Sequence, residues 1–149
     1  MENLTFRAGV PQDAGLIRGF VRAAYGKWVP VMGREPLPMT ADYDLALQKH
    51  RFQLAFDREL VALIETVVES DHLWVENVAV RPDLQGKGLG QRLLQLAENE
   101  ARAMGLPEVR LLTNAALVSN VRFYQTYGFA IDATEPFRGG FVVRFSKRV

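Results

Sequence analysis

Val80-Arg81-Pro82-Asp83-Leu84-Gln85-Gly86-Lys87-Gly88-Leu89-Gly90 decides how this chain is read. An apolar strand-like run ends at Val80 and an amphipathic helical pattern opens at about Gly88, so a glycine-rich loop joins a strand to a helix. Such a junction binds phosphate. The N–H groups of a helix's first turn point outward with a partial positive charge, and glycines remove the Cβ atoms that would hold a pyrophosphate away. A Walker loop needs Lys-Ser or Lys-Thr after its last glycine, and a dinucleotide fingerprint needs G-x-G-x-x-G with an acid some 20 residues on. Neither is present.

Working outward, Leu4 to Arg7 reads as a short strand. Pro11-Gln12-Asp13 starts a helix whose apolar positions Leu16, Ile17, Phe20, Val21 and Ala24 follow the 3.6 period. From Tyr25 to Thr40 the prolines and Gly33 predict irregular structure, an apolar lid or binding loop, before Thr40-Ala41-Asp42 caps a helix to about Lys49. Phe52 to Phe56, Leu60 to Val68 and His72 to Val80 form an antiparallel meander. The helix from Gly88 to Met104 carries Leu89, Leu93, Leu96, Ala97 and Ala101 on one face and stops at Gly105 before Pro107. A strand at Val109 to Thr113 then returns parallel to the one before the helix. A helix from Val118 to Tyr127 and a hairpin, Phe129 to Ala133 and Phe141 to Ser146, complete a single domain over 1–149.

Composition narrows the function. Among 149 residues, 18 basic against 17 acidic side chains leave no field to gather nucleic acid or an acidic membrane. Cysteine is absent, which excludes a disulfide framework, thiolate metal sites and a cysteine nucleophile. No metal site is expected. Met1 to Thr5 has no secretory pattern, and no apolar run approaches the ~18 residues of a membrane span, so the cytoplasm is the expected compartment.

Glu76-Asn77-Val78-Ala79-Val80, Gln85-x-x-Gly88-x-Gly90 and the later Asn120-Val121-Arg122-Phe123-Tyr124-Gln125-Thr126-Tyr127-Gly128-Phe129 together resemble the GNAT superfamily of acetyl-CoA-dependent N-acetyltransferases. The resemblance implies a mixed α/β (α+β) fold: a mostly antiparallel sheet with a central splayed parallel strand pair, flanked by helices. It places a bulge within Asn77 to Val80 and lets the backbone of Val78, Ala79 and Val80 meet pantetheine. The pyrophosphate then lies on the amides of Gln85, Gly86, Lys87, Gly88, Leu89, Gly90 and Gln91, with Arg81 and Lys87 as possible point charges. Asn120 resembles a side chain that binds the pantetheine or pyrophosphate region; the alternative for it is a helix N-cap.

The resemblance makes Tyr124 the group facing the thioester sulfur. Phe123 and Tyr127, at i and i+4, fill one helix face, and Tyr124 points about 100° away from Phe123. An ammonium has no lone pair, so the acceptor must lose a proton, and Glu76, expected to be partly desolvated on its strand, is the first candidate base; His72 and Glu65 are alternatives. Tyr25, Trp28 and Tyr43 are candidate acceptor contacts, and the acids Glu35, Asp42 and Asp44 beside them suit a cationic amine. The expected reaction is acetyl transfer from acetyl-CoA to a primary amine in a ternary complex, by a monomer or homodimer. A non-catalytic acyl-CoA-binding or regulatory module is the alternative, and it need not keep Tyr124.

Overall fold

The computed structural model describes residues 3–149; Met1 and Glu2, part of the N-terminal stretch read above, lie outside the described residues. The strands are β1 (Thr5–Ala8), β2 (Arg51–Asp57), β3 (Glu59–Val68), β4 (Leu73–Val80), β5 (Glu108–Asn114), β6 (Ala130–Phe137) and β7 (Gly140–Arg148). They form one sheet in the order β1-β2-β3-β4-β5-β7-β6, in which every pairing is antiparallel except β4 with β5. This is the mixed sheet expected from the sequence. The helix α5 (Leu89–Ala103) connects the parallel pair, and α6 (Val118–Thr126) precedes the last hairpin.

Between β1 and β2 lie α1 (Ala14–Tyr25), α2 (Val29–Met32), α3 (Leu37–Thr40) and α4 (Tyr43–Lys49). The stretch expected to be irregular thus contains two short helical turns and a 3-10 turn, Gly26–Trp28. Its prolines start these turns. Pro30 and Pro38 sit at the first or second helical position, where a missing N–H breaks no bond. Asp42 caps α4 as expected, its carboxylate accepting from Leu45 N–H at 3.1 Å. At the start of α1, Asp13 accepts from Val10 N–H at 2.8 Å and pairs with both terminal nitrogens of Arg7, which ties the helix to β1.

Two apolar layers enclose the sheet. On one face α5 buries Leu89, Leu93, Leu94, Ala97 and Ala101 against Val61, Leu73, Val75, Val109 and Leu111. On the other, Ile17, Val21 and Ala24 of α1 and Tyr43 and Ala46 of α4 cover Phe52, Leu54, Leu63 and Ala79. Each fully buried Leu or Val contributes about 1.5–3 kcal/mol. Leu16, expected in the core, is exposed, because α1 turns Ala14 and Ile17 inward instead. Glu98 is buried on α5, and Lys147 of β7 reaches it at 3.2 Å, fastening that helix over the C-terminal strands.

Candidate acyl-CoA cleft and acceptor cavity

The parallel strands pair only at Leu73 with Val109 and Trp74 with Arg110, and beyond those residues they separate. A bulge lies on the other edge of β4. Thr66 of β3 faces Val75 and Glu65 faces Asn77, so Glu76 has no partner. The bulge sits at Glu76, one residue before the stretch expected to hold it, and reverses the alternation. Leu73 and Val75 point to α5; after Glu76, Val78 and Val80 do so, while Asn77 and Ala79 turn toward α1 and α4. The apolar residues at 73 and 75 followed by 78 and 80 record this phase shift in the sequence.

Arg81 N–H donates to Val61 at 2.9 Å, which sets the parity of the ladder. Ala79 therefore bonds toward β3, and the N–H and C=O groups of Val78 and Val80 face the gap toward β5. Both carbonyls already hold a donor. The Tyr25 hydroxyl reaches Val78 O at 2.9 Å, and Gln85 Nε2 reaches Val80 O at 2.9 Å. The free donors in the gap are the Val78 and Val80 N–H groups, with the second lone pair of each carbonyl still open. Gln85 is thus a brace of the cleft through its side chain, gripped in turn by Lys27 Nζ.

After Gln85 the chain passes through Gly86 at φ 79° and Gly88 at φ 89°, a left-handed conformation that favours glycine. Gly88 is the N-cap of α5 and offers no side-chain cap. Among the described residues, the N–H groups from Gly86 to Gln91 find no protein acceptor. A Cβ at Gly86 or Gly88 would meet nothing within 4 Å, so the loop opens onto free space. Unpaired donors at a helix N-terminus facing open space suit an anion. Lys87 is exposed and available, whereas Arg81 is held by Asp83 at 2.7 Å and sits 3.7 Å from Glu59.

The helix α6 lies beside this loop, since a Cβ at Gly90 would stand 3.7 Å from Phe123. Phe123 and Tyr127 stack on each other along one helix face as expected; Phe123 is 38% exposed and Tyr127 packs against the edge of the core. Tyr124 is the inward residue, packed on Phe129 and Phe145 at centroid distances of 5.9 and 5.4 Å. Its hydroxyl makes no hydrogen bond among the described residues, yet no buried side-chain polar atom lacks a partner there, so this oxygen touches open space. Burial of the ring pushes its pKa up to about 12. Asn120 occupies the third position of α6, after the N-cap Leu117, so it is not the cap.

On the side opposite α5, Trp74 and Arg110 alternate with the core residues and help line a cavity of about 710 Å³ together with His50, His72, Glu76 and Glu108. Glu76 is exposed rather than desolvated, and Trp74 Nε1 donates to it at 2.8 Å. Glu65 is buried and accepts from, or donates to, His50 Nδ1 at 2.6 Å; burial pushes its carboxyl up, against the pull of that hydrogen bond. His72 is tied to Asp71 at 2.7 Å. Sequence reasoning missed His50, whose partner Glu65 lies on the neighbouring strand, 15 residues on in the sequence.

The expected acceptor contacts divide. Tyr25 stands at the cleft, its hydroxyl shared between Val78 O and Asn77 Oδ1, and burial raises its pKa well above the ordinary phenol value. Trp28 is half-buried under Lys27. Tyr43 is fully buried, donates to Pro38 O and accepts from Asn77, so it supports the wall without reaching the open site. The acids near it are also engaged: Glu35 with Arg22, Asp44 with Arg18, and Asp42 as a cap. The three acids expected to serve a cationic amine thus already hold partners within residues 18–45. The turn between α2 and α3 crosses instead to the last hairpin, where Arg34 lies 5.8 Å from the Phe137 ring.

A gap lined by strand amides, ending in a glycine loop of free N–H groups, fits a ligand with an amide-bearing arm and a pyrophosphate. Among the described residues no helix is long and apolar enough to cross a membrane, and no cluster of three possible metal ligands occurs. The profile of the Acetyltransferase (GNAT) family matches residues 20–129. The PaiA N-acetyltransferase of Thermoplasma acidophilum, solved with coenzyme A, superposes with a TM-score of 0.82 at 19% identity over 99% of each chain. A GNAT acetyltransferase of Elizabethkingia anophelis with acetyl-CoA bound gives 0.69 at 16% identity over 100% of each. The [ribosomal protein bS18]-alanine N-acetyltransferase of Escherichia coli K12 is 32% identical over 78 residues, 52% of this chain and 53% of its own length. The chain thus spans about half the length of that curated relative. The cleft, the loop and the matched profile agree: this chain belongs to the acetyltransferase (GNAT) family, whose cosubstrate is acetyl-CoA.

Proposed function

We propose that the protein transfers the acetyl group of acetyl-CoA to a primary amine by direct attack in a ternary complex. The observation that carries this reading is the run of unpaired N–H groups from Gly86 to Gln91 at the end of the gap beside β4, with the unbonded Tyr124 hydroxyl nearby. Val78 and Val80 N–H groups bind the pantetheine arm as a neighbouring strand would, and the glycine loop with the α5 dipole binds the pyrophosphate. Holding both reactants in line supplies more of the rate than any single side chain.

Tyr124 donates a hydrogen bond to the departing sulfur. A phenol near pKa 12 is a weaker acid than a thiol of about 8.5, so complete proton transfer is uphill by about 5 kcal/mol. Its contribution is stabilisation of the developing negative charge, with the final proton drawn from water. The acceptor enters from the cavity beside β4 and β5, where Glu76, exposed at the bulge, draws in its ammonium group. A free Tyr124 hydroxyl supports an enzyme over an acyl-CoA sensor, because a sensor has no leaving group to stabilise. The test is release of coenzyme A thiol from acetyl-CoA across a panel of amines, peptide N-termini included. Binding of acetyl-CoA without release for any acceptor points to the sensor.

A further inference from the structure

The histidine that the strand pattern did not single out occupies the best position for a base. His50 ends the turn after α4, and its Nδ1 lies 2.6 Å from Glu65 Oε2, a carboxylate 4% exposed in the middle of β3. With Nδ1 engaged, Nε2 is the nitrogen left to the cavity that His50 shares with Glu76. Glu65 in turn lies opposite Asn77 across the ladder, immediately beside the bulge that opens the cleft. A carboxylate that fixes one imidazole nitrogen makes the other a defined proton acceptor and stabilises the imidazolium that results.

Resting on the acetyl-transfer reading above, we propose that His50, oriented by Glu65, takes the proton from the acceptor amine, while Glu76 holds its ammonium group in the cavity. His50 Nε2 first takes one proton from the ammonium, directly or through cavity water, and passes it to solvent; the lone pair so freed forms the C–N bond to the acetyl carbon, and the C–S bond breaks with its electron pair leaving on sulfur. The second proton leaves the new amide nitrogen by the same route. Sulfur is protonated from water beside Tyr124. His50, fixed at Nδ1 by a buried carboxylate, has the geometry of a base, and exposed Glu76 that of an electrostatic anchor.

The other charges facing this cavity are mostly committed to partners. Glu108 is held by Arg110 at 2.8 Å, Arg144 by Glu135 at 2.9 Å, His72 by Asp71, and Asp132 accepts from Ser146. Tyr43 on α4 also faces Glu65, with its hydroxyl pushed above the ordinary phenol value by burial. Glu69, Glu76 and Asp132 are the lining carboxylates without an ion pair among the described residues, and of these Asp132 accepts from Ser146.

The test uses the full chain with acetyl-CoA and three acceptors: putrescine, 2-phenylethylamine and glycylglycine. His50→Ala is expected to lower turnover roughly 10²-fold, and added free imidazole to restore much of it, which a merely structural role for His50 does not produce. Glu65→Gln slows turnover and shifts the acidic limb of the kcat/KM profile, and imidazole does not rescue it. Where His50→Ala melts early, His50→Gln keeps an amide beside Glu65 and is expected to fold and be equally slow. Wild-type turnover that neither His50 variant changes overturns the His50 assignment alone. No release by the wild-type chain with any acceptor, despite acetyl-CoA binding, overturns the acetyl-transfer reading beneath it.

Discussion

The cleft and the cavity proposed for cofactor and acceptor lie on either side of the bulge at Glu76 and are built from different material. The cleft is made of backbone: N–H groups of Val78 and Val80, then those of Gly86 to Gln91. The cavity is made of side chains brought from the end of α4 and from β3, β4, β5, β6 and β7. A backbone site tolerates almost any sequence that keeps its glycines and its strand, whereas a side-chain site changes with each residue. One half can therefore be shared by a family while the other is respecified for a new acceptor.

If that division holds, substitutions in the two halves should separate binding from turnover and acceptor choice. The largest effect is expected for Tyr124→Phe, about 10²-fold lower turnover with acetyl-CoA affinity retained, since a hydrogen bond to the leaving sulfur matters most in the transition state. Steady-state kinetics with calorimetric titration checks it, and equal turnover under conditions where chemistry limits the rate removes Tyr124 from the reaction. With a pKa near 12 the hydroxyl stays protonated through roughly pH 6–10, so Tyr124 should impose no basic limb in that range.

A smaller effect, on the order of tenfold in kcat/KM, is expected for Glu76→Gln with cationic acceptors, carried mainly by KM, because Glu76 attracts the ammonium from an exposed position. Raising the salt concentration should narrow the difference between the two enzymes. If Glu76→Gln instead abolishes the acidic limb of the pH profile, Glu76 rather than His50 is the base. The smallest change is Tyr25→Phe. It removes the hydroxyl bonds to Asn77 and Val78 and should cost about 1–2 kcal/mol of stability in denaturant titration. Acetyl-CoA affinity should stay within a few-fold, because the second lone pair of Val78 O serves the ligand.

The same division explains what could be read before the structure. The succession of strands and helices along the chain, the parallel crossover and the loop all follow from local patterns: alternation, the helical period, and glycines that prove to sit at positive φ at 86 and 88. The bulge left its mark too, in the phase shift from Leu73 and Val75 to Val78 and Val80. What stayed hidden depends on contacts distant in sequence. Gln85 looks like a loop residue until its amide is seen to bridge Val80 and Ala24. Tyr43 looks like an aromatic open to an acceptor until Asn77 and Pro38 enclose its hydroxyl. His50 carries no motif, and only the pairing of β2 with β3 brings it to Glu65.

The central claim, that the glycine loop at the start of α5 holds the pyrophosphate of acetyl-CoA, is tested most directly by calorimetric titration of two matched variants. Gly88→Ala and Gly105→Ala each place a Cβ in open space at a left-handed position, φ 89° and 73°, at the two ends of the same helix. Both should therefore lose a similar ~1–2 kcal/mol of stability from backbone strain. Only Gly88→Ala brings a methyl group to the phosphate-facing N–H groups, so it alone should lose tenfold or more in acetyl-CoA affinity, on the order of 1.4 kcal/mol. Equal affinity in folded Gly88→Ala and Gly105→Ala would contradict the account.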